Sequence, residues 1–152
     1  MPALDPKKIC QIALVVRDIE KTARLYSEIL GMPMPNIFTI PPAEEAHTRF
    51  RGKPTSTRAK LAVFDLGPLV LELTEPDGEP SSWKHFLDTH GEGVHHIGFM
   101  VDDLPRTLAF FKERGMPERH SGDYTGGRYV FVESEEKLGV ILNVKHEPGS
   151  VS

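Results

Sequence analysis

The 152-residue sequence predicts an α+β fold of two β-α-β-β-β modules whose sheets curl around one open cleft. A strand–turn–helix unit written twice predicts the pairing of modules. Short apolar runs bounded by turn residues follow each copy and supply the remaining strands. No Gly-, Ser- or Pro-rich linker parts the copies. Residues 1–152 are therefore expected to form one domain, with module one at about 8–76 and module two at about 92–146.

The clearer copy is Gly93 to Gly115, GVHHIGFMVDDLPRTLAFFKERG. His95 to Val101 reads as a strand, with His96, Gly98 and Met100 on one face and Ile97, Phe99 and Val101 on the other. Asp103 is the expected helix N-cap, with Pro105 in the first turn. Leu104, Leu108 and Phe111 recur on one helical face, and Gly115 closes the helix. The earlier copy is Gln11 to Gly31, QIALVVRDIEKTARLYSEILG. Setting Gln11 on His96 sets Ala13 on Gly98, Asp18 on Asp103, Ile19 on Leu104, Ala23 on Leu108 and Tyr26 on Phe111.

In chain order, strand one is expected at Cys10–Val16 and the first helix at Asp18–Leu30, stopped by Gly31, Pro33 and Pro35. Ile37–Ile40 reads as a short second strand. Ala43–Thr57 is polar and reads as a long loop covering a site. Lys60–Leu66 and Leu69–Thr74 form a hairpin about Gly67-Pro68. A short helix around Trp83, Phe86 and Leu87 bridges to module two. Ser121–Gly127 reads as a turn-rich loop. Arg128–Val132 and Gly139–Val144 make the last hairpin around the charged turn Glu133–Lys137, and His146–Ser152 is a frayed tail.

The formal net charge of -4 gives no reason to expect a nucleic-acid partner. No apolar run is long enough to span a bilayer, and the N-terminus lacks a signal-peptide core, so a cytoplasmic location is expected. The single cysteine, Cys10, cannot form an intrachain disulfide. Strict alternation turns Cys10 and His95 toward the helix-covered faces, as structural residues.

The same alternation carries the functional clue. Gln11, Glu72, His96 and Asn143 each stand in an apolar strand on the face away from the helices. Polar groups there need a partner or a ligand. If the sheets curve together, the four converge, and Ala13 and Gly98 leave room beside them. A metal site, a metal-free ligand pocket and a structural hydrogen-bond network all answer to this pattern. His47 and Arg49 in the cover loop, with Tyr124 and Arg128 near the mouth of module two, are candidate substrate contacts.

The stretches GEGVHHIGFMVDDL and LVLELTEP, with the paired modules, resemble the vicinal-oxygen-chelate superfamily. That group includes glyoxalase I, methylmalonyl-CoA epimerase, extradiol dioxygenases and bleomycin resistance proteins, and the epimerase and glyoxalase I branches are the nearest. The resemblance covers about Lys8 to Lys145. It implies paired ferredoxin-like repeats, a homodimer, a small-molecule substrate and one divalent ion (Zn, Ni, Co, Mn or Mg). By position the ion's ligands are Gln11, Glu72, His96 and Asn143. Asn143 stands where both enzymes carry a glutamate, which removes one anionic ligand and one candidate base. The implied function is a metal-dependent isomerase or lyase acting on a small oxygenated carbon acid through a stabilised enediolate. Glu72 is its catalytic candidate, and Glu45 or His47 are alternative bases. The alternative is a binding or resistance protein that uses the same cleft without chemistry. The iron site of a dioxygenase needs a second histidine where Gln11 stands.

Overall fold

The computed structural model describes residues 2–149. Module one contributes β1 (Ile9–Val15), α1 (Ile19–Leu30), β2 (Phe38–Thr39), α2 (Ala43–Ala46), β3 (Arg49–Phe50), β4 (Lys53–Pro54), β5 (Lys60–Asp65) and β6 (Val70–Glu75). Then follow α3 (Ser82–His90), β7 (Gly93–Met100), α4 (Leu104–Glu113), β8 (Glu118–Tyr124), β9 (Gly127–Val132), α5 (Glu135–Leu138) and β10 (Ile141–His146). Asp18 and Asp103 cap α1 and α4 by accepting the N–H of Lys21 and of Arg106. Gly31 ends α1 at φ 65°, a left-handed cap that glycine adopts without strain.

The strands form one ten-stranded sheet in the order β2-β5-β6-β1-β7-β10-β9-β8-β3-β4. Its centre is the antiparallel pair β1–β7, where Gln11 stands opposite Gly98 and Ala13 opposite His96. That reciprocity is the pseudo-twofold written in the repeat. Each central strand then takes a parallel neighbour: Ala13 pairs with Glu72 on β6, and Gly98 with Asn143 on β10. The four polar positions thus occupy two adjacent rows across four strands.

Three apolar clusters hold the sheet. One lies under α1 with Ile19, Ala23, Phe64 and Leu73. Another lies under α4 with Leu104, Phe111, Val130 and Val144. The third lies on the concave side, where Trp83 and Phe86 of α3 pack on Val15, Phe131 and Ile141. The bridging helix therefore fills the end of the trough where β1 finishes and β7 begins.

Several local expectations are corrected. Within 43–57 only Ala46 of α2 lines the cleft, and the rest is no loop over the site. It leaves module one and adds β3 and β4 to the outer edge of module two, with Arg49 paired to Ser121 and Phe50 to His120. The physical reason is the otherwise unpaired edge of β8, whose backbone groups need partners. Residues 121–124, expected in a loop, belong to β8, because pairing with β3 and β9 overrides their weak strand propensity. The charged turn holds the short helix α5. His146 ends β10 rather than starting a tail, and residues 150–152 of that expected tail lie outside the described residues.

Cys10 and His95 are also corrected, for one shared reason. The β1–β7 register slips between Ile9 and Gln11 and again between Ala13 and Leu14, leaving Cys10 and His95 as the extra residue of two bulges. The bulges are related by the pseudo-twofold, since each precedes a site residue. His95 packs on Phe86 and Phe131 of the concave cluster, and Cys10 comes under the charges of Lys145, Glu147 and Glu72.

Candidate functional site

The concave face holds a cleft of about 410 Å³ whose lining includes Gln11, Glu72, His96 and Asn143. Gln11 is the hub. Its Nε2–H donates to Glu72 Oε2 at 2.6 Å, and its Oε1 accepts from Asn143 Nδ2 at 2.9 Å and from His96 Nε2 at 3.0 Å. Thr74 Oγ1 donates to Glu72 Oε1 at 3.2 Å. The carboxylate turns the Gln11 amide nitrogen toward itself, and the Gln11 carbonyl in turn fixes the Asn143 amide. Asn143 Oδ1 is buried and has no donor among the described residues. Gly98 keeps this ring compact, because a Cβ there would lie 2.7 Å from Gln11 Oε1.

A chain of hydrogen bonds runs behind His96. His95 Nδ1 lies 2.7 Å from His96 Nδ1, and His95 Nε2 lies 3.0 Å from Ser82 Oγ. Since His96 Nε2 donates to Gln11, its Nδ1 accepts from His95, and His95 Nε2 accepts from the serine hydroxyl. Both rings are neutral. Burial, followed by the Lys145 charge, lowers the His96 pKa to about 3. Burial and then His96 hold His95 well below the ordinary imidazole range. Burial raises the pKa of Glu72, against opposing effects of Lys145, Thr74 and Gln11.

Apolar side chains line the cleft around the floor: Phe38, Ile40, Leu61, Trp83 and Phe131, of which all but Phe38 belong to or pack against one cluster. Tyr124, Tyr129 and Lys145 also line the cleft. Tyr124 donates its hydroxyl to Glu147 Oε1 at 2.9 Å, and burial raises its pKa.

The remaining candidates lie apart from the floor. His47 is exposed, and its Nδ1 lies 2.9 Å from Oδ2 of Asp123, a rim residue. Arg128 donates to Asp123 Oδ1 at 3.2 Å and does not line the cleft. Arg49 is bound to the carbonyl of Gly52, and Glu45 is exposed on α2. Sequence reasoning missed two residues. Lys145 shares the Asn143 face of β10, and the fold turns it into the cleft. His95 was concealed by the bulge. Among the described residues no group of three or more His, Cys, Asp or Glu is placed to hold a metal ion, because two of the four floor residues are amides.

A family model, glyoxalase/bleomycin resistance protein/dioxygenase superfamily, matches residues 10–131. The chain belongs to that superfamily. Among its superfamily relatives is a probable chloroplastic lactoylglutathione lyase of Arabidopsis thaliana, 28% identical over 142 residues, or 89% of this chain. The chain spans only 34% of that protein's length. The mitochondrial methylmalonyl-CoA epimerase of Homo sapiens is 23% identical over 142 residues, 91% of this chain and 73% of that one. A solved methylmalonyl-CoA epimerase in complex with methylmalonyl-CoA and NH4+ superposes with a TM-score of 0.66 at 24% identity, over 96% of this chain and 98% of that one. The superfamily's curled sheet is thus the architecture of this chain.

Proposed function

We propose that the protein is a metal-dependent isomerase or lyase that moves a proton on a carbon next to a carbonyl in a small oxygenated acid or thioester. The convergence of Gln11, Glu72, His96 and Asn143 on the cleft floor carries this reading. The donor set fits a divalent ion: one imidazole, one carboxylate and two amide oxygens, of which the buried Asn143 Oδ1 has no donor among the described residues. Zn, Ni, Co, Mn and Mg all suit it. Such an ion would supply Lewis-acid stabilisation of negative charge on a substrate oxygen. Glu72 is the floor's only carboxylate, and released from the ion it would take a proton from a carbon acid and return it. Gln11 and Thr74 orient its two oxygens. To present the Nε2 lone pair, His96 carries its proton on Nδ1, and His95 then passes its own proton to the Ser82 side; the chain accommodates either direction. Ile40, Leu61 and Phe131 keep water from the reacting carbon.

The relatives' names suggest methylmalonyl-CoA and lactoylglutathione as the first substrates to test. Solvent deuterium incorporation at the substrate carbon, read by NMR, measures the proton transfer directly. Glu72→Gln is expected to lower it by about 100-fold or more, the usual contribution of a positioned base. Calorimetric titration with Mn, Co, Ni and Zn ions gives a second readout. Glu72→Gln weakens binding by more than about tenfold, and Asn143→Glu tightens it. Absence of both proton exchange and ion binding in the parent protein sinks the enzyme reading. The second reading, a metal-free binding protein, is favoured by the single carboxylate of the floor. On that reading Glu72→Gln leaves the fold equally or more stable, since it removes a buried acid with a raised pKa.

The assembly is expected to be a homodimer. Leu25 and Ile29 stand one turn apart on α1, 52% and 76% exposed, and Leu30 and Met34 extend the apolar surface. One free cysteine accords with a cytoplasmic setting.

A further inference from the structure

We propose that the cleft wall carries an anion subsite centred on Lys145, which takes the carboxylate of a small organic acid and opposes a divalent ion at the floor. Lys145 follows Asn143 by two residues on β10, so both side chains leave the sheet on the same face, and both line the cleft. The ammonium lies 4.9 Å from the centroid of the Tyr124 ring. Among the described residues no carboxylate forms an ion pair with it. The nearby acids are engaged elsewhere: Glu147 accepts from the Tyr124 hydroxyl, and both oxygens of Glu72 are occupied by Gln11 and Thr74.

A half-buried ammonium against an aromatic face, without a counter-ion, is a costly arrangement that an incoming anion relieves. Trp83 lines the same cleft, and among the described residues its buried indole N–H has no acceptor. A cation and a neutral donor both unmet call for a ligand that brings oxygen acceptors. The apolar walls at Ile40, Leu61 and Phe131 select an anion with a hydrocarbon skeleton, hence a carboxylate rather than a free phosphate. A volume of about 410 Å³ holds a short-chain acid with space to spare.

Lys145 also acts on the floor. Its ammonium shares the cleft with Gln11, Glu72, His96 and Asn143. Its positive charge repels a divalent cation held among those side chains. Anion binding and cation binding therefore help one another, and Lys145 alone favours the first and resists the second.

The test uses the full chain. In buffer with EDTA, calorimetric titration with propionate is compared with methyl propionate, its neutral ester. Propionate is expected to bind and the ester is not. Lys145→Met is expected to weaken propionate by about tenfold or more, the effect of losing a charge-assisted contact, while Lys145→Arg retains it. Without EDTA, Lys145→Met is expected to bind Mn²⁺ more tightly than the parent. Thermal unfolding of the Met and Arg variants identifies a folding defect. Equal propionate binding by the parent and the folded Met variant overturns the proposal, as does no binding by the parent. If the parent binds propionate but no Mn²⁺, the anion subsite stands and only the metal reading of the floor fails.

Discussion

At the scale of single residues, the cleft joins groups whose protonation burial has set. His120 shows the consequence most cleanly, because it lies behind the floor rather than in it. Its Nδ1 accepts the backbone N–H of Ser82 at 3.2 Å, and its Nε2 lies 3.2 Å from the Tyr129 hydroxyl. Burial lowers its pKa from 6.5 to about 3. The folded-state value lies below the unfolded one, so the unfolded chain binds more protons between them. Stability is then full above about pH 6.5 and is lost as pH falls toward 3. By pH 4 the loss from this residue should be about 3 kcal/mol, at roughly 1.4 kcal/mol for each pKa unit traversed. Urea unfolding of the parent and of His120→Gln over pH 4–7 checks this. The variant is less stable at pH 7 and shows a shallower pH dependence. Parallel profiles would mean that His120 is not the titrating group.

Elements impose the next constraint, and β1 against β7 is the decisive pair. Gly98 is not glycine for its backbone angle, which is not positive; it is glycine because Gln11 occupies the space where a side chain would stand. An alanine Cβ would lie 2.7 Å from Gln11 Oε1 and 3.0 Å from Gln11 Cβ. Gly98→Ala should therefore cost about 1–3 kcal/mol, the usual range for overpacking, and loosen the ring around Gln11. A double-mutant cycle with Gln11→Ala isolates this contact. Much of the alanine penalty should vanish when the amide is gone, and additive losses would show that the strain arises elsewhere. The same pair marks the limit of what the sequence reveals. Strand alternation brought out Gln11, Glu72, His96 and Asn143, because a polar residue in an apolar strand is conspicuous one residue at a time. It misdirected Cys10 and His95, because a bulge breaks the period of two without leaving any residue type that announces it. Lys145 shares the face of Asn143, but a lysine near a strand end usually snorkels to solvent, so only the fold reveals its place in the cleft.

For the whole molecule, the repeat was legible from capped helices and matched small residues, and the central order β6-β1-β7-β10 follows from it. The destination of the 43–57 segment was not legible, because its partners are far away in the chain. His47, for example, meets Asp123 from 76 positions away. The exposed apolar face of α1 leads to a prediction at this scale. Sedimentation at micromolar concentration should show a dimer, and Ile29→Glu, at a position 76% exposed, should yield a folded monomer. A parent that sediments only as monomer would leave that face without its expected partner.

The reach of β3 across to β8 also bears on how the chain is made. The segment is synthesised with the first half, yet its docking edge belongs to the second and emerges only after β7 and α4. Closing a loop of that length costs about 4 kcal/mol in chain entropy, which local contacts cannot offset before β8 exists. The early half must therefore wait on the ribosome with its hairpin undocked, and the late half has no finished outer edge of its own. Although the sequence reads as one unit written twice, the two halves are not interchangeable parts. The strap makes them a single folding event, so neither half can be exchanged without the edge that the other supplies.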